Sequence, residues 1–136
     1  MKPWQYLGED YHEAPEQYQG FVYRIHDRAN DMFYIGKKNF WMTRKLKPLK
    51  GKTNRRHRRE ESDWQEYYGS NERLKEMVRA FGPDTFEREI LILCANKNQM
   101  SYFEMKLQFE FDVLVNKQFY NEYIGGRVTA RGLSTQ

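Results

Sequence analysis

Two short β-forming runs on either side of a polar turn constrain this chain more than any other feature. Phe21-Val22-Tyr23-Arg24-Ile25-His26 alternates in character and is rich in β-formers, Asp27 to Asn30 is turn chemistry, and Met32-Phe33-Tyr34-Ile35-Gly36 is β-forming again. The spacing predicts a hairpin with Phe21, Tyr23 and Ile25 on one face. If Tyr23 stands opposite Tyr34, both rings share that face, and a slip of one residue separates them. The register is open at this level.

The elements around the hairpin follow from periodicity. Leu74, Met77, Val78 and Phe81 recur at helical spacing after Ser70, an expected N-cap, and Gly82-Pro83 stops the helix, giving a span near 70–81. Phe86 to Cys94 reads as a third strand. Residues 98–112 read as a second helix, with Phe103, Leu107, Phe111 and Leu114 on one stripe. Trp64, Tyr67 and Tyr68 suggest a short helical stretch. The order β-β-α-β-α implies a small α+β domain with a three-stranded, mainly antiparallel sheet flanked by helices. Residues 1–19 read as an irregular aromatic arm, 20–126 as the domain with a basic insertion at 37–61, and 127–136 as a short tail.

Composition bounds the class. A length of 136 residues fits one domain, and no apolar run approaches the roughly 18 residues of a membrane span. Met1 to Glu13 holds no apolar stretch of a secretory signal, so a cytoplasmic setting is expected. The single cysteine, Cys94, lies in an apolar run and reads as an inert core residue, and with three scattered histidines it cannot build an ordinary zinc site.

Charge is partitioned sharply. Of the 23 lysines and arginines, eleven fall between Lys37 and Arg59 with no acid among them, so the remaining twelve stand with all 19 acids. A cationic segment on an otherwise acidic chain is the footprint of a protein that meets phosphate backbones. Lys37, Lys38, Lys45, Lys52, Arg55, Arg56, His57, Arg58 and Arg59 are the expected nucleic-acid-binding residues, binding the backbone without reading much sequence. Pro48 and Gly51 interrupt any long helix here, and a short helix is expected around Arg44.

Phe21-Val22-Tyr23 followed by Tyr34-Ile35-Gly36 resembles the signature of the GIY-YIG nucleases. The second triplet matches in full, while Phe21 and Val22 replace the Gly and Ile of the first. Arg44 stands eight residues after Gly36, Glu104 lies on the late helix, and Asn121 follows Tyr120 after it, each where the family carries a functional residue. Tyr68-Gly69-Ser70 through Leu74, and Phe86 to Leu91, resemble the phage-borne, homing-type branch. The resemblance implies a host-cell cytoplasmic setting and a catalytic domain without the separate recognition region that homing members carry.

What the resemblance implies chemically is a metal-dependent DNA endonuclease. Tyr23 would be base or proton relay, Tyr34 would hydrogen-bond phosphate or water, and Gly36 would let the backbone approach the substrate. Arg44 would grip phosphate bidentately, and Glu104 would hold one hard cation, Mg²⁺ or Mn²⁺. A phenol is a poor base at neutral pH unless a cation lowers its pKa. Other readings stay open. Ser101 to Glu104 also fits a capping box, whereas a helix start at Asn98 puts Glu104 past the first turn; Asn121 fits a turn or a structural role, and the tyrosines fit an ordinary sheet. Alternative functions are a non-catalytic nucleic-acid-binding module and a nuclease-partner module; a homodimer or a larger protein partner is open.

Overall fold

The computed structural model describes residues 2–133. The expected hairpin forms from β-strands that follow two short amino-terminal ones: β1 (Trp4–Tyr6), β2 (Glu9–Tyr11), β3 (Gly20–Asp27) and β4 (Met32–Asn39). Next come β5 (Trp41–Leu46), β6 (Arg56–Glu61), α1 (Glu72–Phe81), β7 (Phe86–Cys94) and α2 (Lys97–Glu110). Among the described residues, no helix is long and apolar enough to cross a membrane.

The α+β class holds, but the main sheet has five strands in the order β2-β1-β7-β3-β4, not three. The difference lies in the arm, which is not irregular. Leu7 and Gly8, both at positive φ, turn it back as a hairpin, and β1 then joins β7 in parallel. Three-residue strands are too short to show alternation, and distant groups hold this pair in place. Trp4 is buried and donates its indole N–H to the Trp64 carbonyl at 2.7 Å. Arg88, itself buried, donates to the carbonyls of Lys2, Gln65 and Tyr67, and its guanidinium lies over the rings of Trp4 and Tyr68. Three carbonyls and two aromatic faces replace the water that this buried cation loses.

The sheet is covered on both faces. Phe21, Tyr23 and Ile25 sit in one core with Trp4, Phe40, Trp64 and Leu74, so the predicted face of β3 is the observed one. Val22 and Ile35 point the other way, into a second core with Cys94, Met100 and Val113. Burial pushes the Cys94 thiol up to about 12, in keeping with an inert core residue.

The helices begin where Asn, rather than Ser, supplies the cap. Asn71, not Ser70, accepts the Leu74 N–H at 3.0 Å and starts α1. Asn96 accepts from the Gln99 N–H and starts α2. The stripe expected on α2 ends early, because the helix stops at Glu110 and Asp112 takes a positive φ. Phe103 and Leu107 pack on the second core as expected, while Phe111 and Leu114 are left exposed.

The basic segment is a second, two-stranded sheet of β5 and β6. Arg44 therefore stands on a strand, not on a short helix. Cross-strand hydrogen bonding to β6, which lies beyond Pro48 and Gly51, decides its conformation, and no local window contains that partner.

Candidate active site

The register of β3 on β4 sets the site. Tyr23 stands opposite Gly36 and Ile25 opposite Tyr34, so the two tyrosines are diagonal neighbours on one face. Their ring centroids are 6.2 Å apart. An offset of two residues keeps the face that an offset of one would lose. Gly36 is required by this register: a Cβ there would lie 2.5 Å from the Tyr23 hydroxyl oxygen and 2.9 Å from Cε2 of Tyr34. The space that the missing side chain frees is filled by the two tyrosines. Gly69, at φ +91°, brings the chain back over the same pair, an added Cβ there lying 3.5 Å from the Tyr23 hydroxyl oxygen and 3.5 Å from Cδ2 of Tyr34.

β4 is an edge strand of the main sheet, and its outer side is closed by the chain after α2. Phe33 exchanges backbone hydrogen bonds with Gln118 and Tyr120. Asn121 continues the pairing with its side chain, accepting from the Ile35 N–H at 3.1 Å and donating to the Ile35 carbonyl at 2.8 Å. Its amide imitates a peptide of a neighbouring strand and fixes the residue between Tyr34 and Gly36. Gln108 donates to the same carbonyl at 3.1 Å. Asn121 is buried and engaged on both sides of the Ile35 peptide.

Around this edge lies an open cleft of about 400 Å³, lined by Tyr23, Tyr34, Lys37, Glu104, Asn121 and Ser70 among others. Tyr34 and Ser70 share a hydrogen bond of 3.3 Å between their hydroxyls. Lys37 donates to the Ser101 hydroxyl at 2.7 Å. That contact, with α2 beginning at Lys97, rules out the Ser101 capping box: Glu104 lies in the middle of the helix. Its carboxylate makes no hydrogen bond or ion pair among the described residues.

The cleft perturbs its titratable groups. Burial, then the phenols of Tyr67 and Tyr34 and the charge of Glu104, hold the Tyr23 pKa well above its ordinary value. Burial also raises the Tyr34 pKa, against the hydrogen bond from Ser70. Glu104 is raised by burial, with Lys37 pulling the other way.

Five of the six residues expected at the site thus meet here: Tyr23, Tyr34, Glu104 and Asn121 line the cleft, and Gly36 lies beneath the tyrosines. Arg44 does not. It is exposed on β5, opposite Arg58 and 3.4 Å from a Glu60 oxygen. Lys38 is tied to Asp63 at 2.6 Å and covers the Tyr67 ring. Lys45, Arg56, His57, Arg58 and Arg59 lie on the β5–β6 ribbon, and Lys52 and Arg55 in its tip loop. Sequence reasoning missed Tyr67, Gln108 and Ser70 as site neighbours. For Gln108 a signal existed, since it follows Glu104 by one helical turn.

The family described as "Putative endonuclease segE, GIY-YIG domain" matches residues 4–124. The chain belongs to the GIY-YIG nuclease family. No curated protein and no solved structure matches. Within this GIY-YIG domain the departure at Phe21 and Val22 has a structural sense. Each faces a different core, Phe21 with Trp4, Phe40 and Trp64, and Val22 with Met100 and Cys94. The match also starts inside the arm, where β1 and β2 complete the sheet.

Proposed function

We propose that this GIY-YIG domain is a metal-dependent endonuclease that hydrolyses phosphodiester bonds of DNA. The observation that carries the reading is the meeting, in one polar cleft that also holds Lys37, of the Tyr23 phenol and a Glu104 carboxylate with no hydrogen bond or ion pair among the described residues.

The donor set suits Mg²⁺ or Mn²⁺. The described residues contain no group of three or more His, Cys, Asp or Glu placed to hold a metal. A single carboxylate is what Mg²⁺ takes when waters and a phosphate complete its shell. Glu104 would hold it, and the burial that raises the Glu104 pKa makes a nearby cation favourable. When bound, such a cation neutralises phosphate charge and acidifies its water.

The protein's own groups do the rest. Tyr23 is a neutral phenol at physiological pH, given its raised pKa. As a relay it accepts a proton at its hydroxyl oxygen from the attacking water and passes its own to a phosphate oxygen. Lys37, held by Ser101, and Tyr34, held by Ser70, bind phosphate oxygens. Asn121 keeps Ile35, and with it Tyr34 and Gly36, in place.

One observation favours a second reading, a DNA-binding module without catalysis: Arg44 stands outside the cleft. Plasmid nicking with and without Mg²⁺ separates the two. Under the nuclease reading, Glu104→Gln lowers cleavage by orders of magnitude while DNA binding survives or tightens. Tyr23→Phe, which deletes only the hydroxyl, lowers it by about 10²- to 10⁴-fold. Normal cleavage by a folded Glu104→Gln protein in saturating Mg²⁺ would refute the metal-ligand role.

A further inference from the structure

The ribbon of β5 and β6 leaves the end of β4, the strand that carries Gly36. Its register pairs Thr43 with Arg59, Arg44 with Arg58, Lys45 with His57 and Leu46 with Arg56. Cross-strand partners share a face, and successive pairs alternate between faces. Arg44, Arg56 and Arg58 therefore occupy one face, and Lys45, His57 and Arg59 the other. All six are exposed.

This is a costly arrangement for a protein alone. A two-stranded ribbon is marginal without a core beneath it, and like charges directly opposite one another weaken it further. Only the base is well tied: Arg59 lies 4.3 Å from the Trp41 ring centre and donates to the Glu16 carbonyl, while the Gln19 side chain donates to the Trp41 carbonyl. Farther out, among the described residues, Glu60 receives both Arg44 and Arg58, and Arg56 donates to the Lys47 carbonyl. A polyanion relieves the repulsion that remains.

The distribution over both faces says how the polyanion lies. A ribbon resting on a duplex backbone needs cations on one face only. A ribbon set between two rows of phosphates needs them on both. The major groove of B-DNA, about 12 Å wide, admits a two-stranded ribbon between such rows. Six-residue strands span roughly 20 Å, enough to follow the groove for about half a turn. We propose that the β5–β6 ribbon enters the major groove of duplex DNA next to the cleft, with Arg44, Arg56 and Arg58 toward one phosphate row and Lys45, His57 and Arg59 toward the other. The inference rests on duplex DNA being the substrate, and it gives Arg44 a place among groove contacts rather than at the scissile phosphate.

The test uses the full chain carrying Glu104→Gln, so that binding is measured without cleavage, and a short duplex titrated over a range of salt. Arg56→Ala removes a cation from one face and Lys45→Ala one from the other. Each is expected to weaken binding by about fivefold to tenfold at 0.1 M salt, and to lower the slope of log affinity against log salt by about 0.9. Glu60→Gln frees two guanidiniums and is expected to tighten binding, a gain that misfolding cannot imitate. In dimethyl sulfate probing of the saturated duplex, guanine N7 in the major groove is protected and adenine N3 in the minor groove is not. An effect confined to one of the two faces means that the ribbon lies on the backbone, and protection of adenine N3 alone places it in the minor groove; either overturns the proposal. So does Glu60→Gln binding more weakly than its parent. If Glu104→Gln cuts normally, the metal-ligand assignment falls, and the binding series is run in chelator instead, so the two ideas fail separately.

Discussion

The cleft and the ribbon solve opposite problems. In the cleft, Tyr23, Gly36 and Asn121 are buried, and each is fixed by a neighbour that cannot move without disturbing the core. On the ribbon, cations stand in water on both faces, held by a partner strand and by a tied base. Burial shifts the titration of Tyr23 and Glu104, which chemistry at a phosphate can use. Solvation keeps the ribbon's charges free to exchange counterions for phosphates, which the proposed binding to duplex DNA needs. The contrast teaches that rigidity and charge have been given to different sheets, so substitutions in one need not disturb the other.

Gly36→Ala should break that contrast most severely on the cleft side. The new Cβ would meet the Tyr23 hydroxyl at 2.5 Å, so the ring must leave its place. Cleavage in the nicking assay should drop by orders of magnitude, and stability by about 1–3 kcal/mol as in other overpacked sites. Duplex affinity should stay near that of the parent, since the ribbon is untouched. Full cleavage with Ala at this position would mean that the Tyr23 position is not catalytic.

A smaller effect is expected from Asn121→Leu. It strips the Ile35 N–H of its partner, although Gln108 still serves the Ile35 carbonyl. The denaturation midpoint should fall by an amount corresponding to about 1–3 kcal/mol, the cost of an unmet buried group. Asn121→Asp keeps the acceptor for that N–H but sets a carboxylate oxygen against the Ile35 carbonyl, so it too should fall below the parent. If both variants unfold like the parent, the strand-like role of Asn121 is wrong.

The smallest effect concerns Glu104 as a charge rather than a ligand. Its folded-state pKa is raised, chiefly by burial, so the folded chain holds this proton more tightly than the unfolded one. Ionisation therefore lowers stability as pH climbs from the ordinary carboxylate range through the raised value, and the loss persists above it. In chelator, Glu104→Gln should melt above the parent at neutral pH. The gap should close below about pH 4, where both states are protonated. A variant that melts lower at neutral pH would show that Lys37, not burial, governs the site.

What the sequence determined by itself was whatever local periodicity encodes. Alternation drew β3 and its core face, helical spacing placed α1, and an apolar run placed β7. The same local record held the segregation of charge into 37–59, because it needs only a count along the chain. The family's spacing brought Tyr23, Tyr34 and Glu104 forward, and they do share a cleft. Tertiary structure decided the rest. It turned the arm into two strands through Arg88 and Trp4, and set Arg44 on a ribbon rather than a helix. It placed Gly36, not Tyr34, opposite Tyr23, and made Asn121 a surrogate strand for Ile35. Each of these depends on partners many residues away, and a register is chosen by what fills the space between chains, which no local pattern contains.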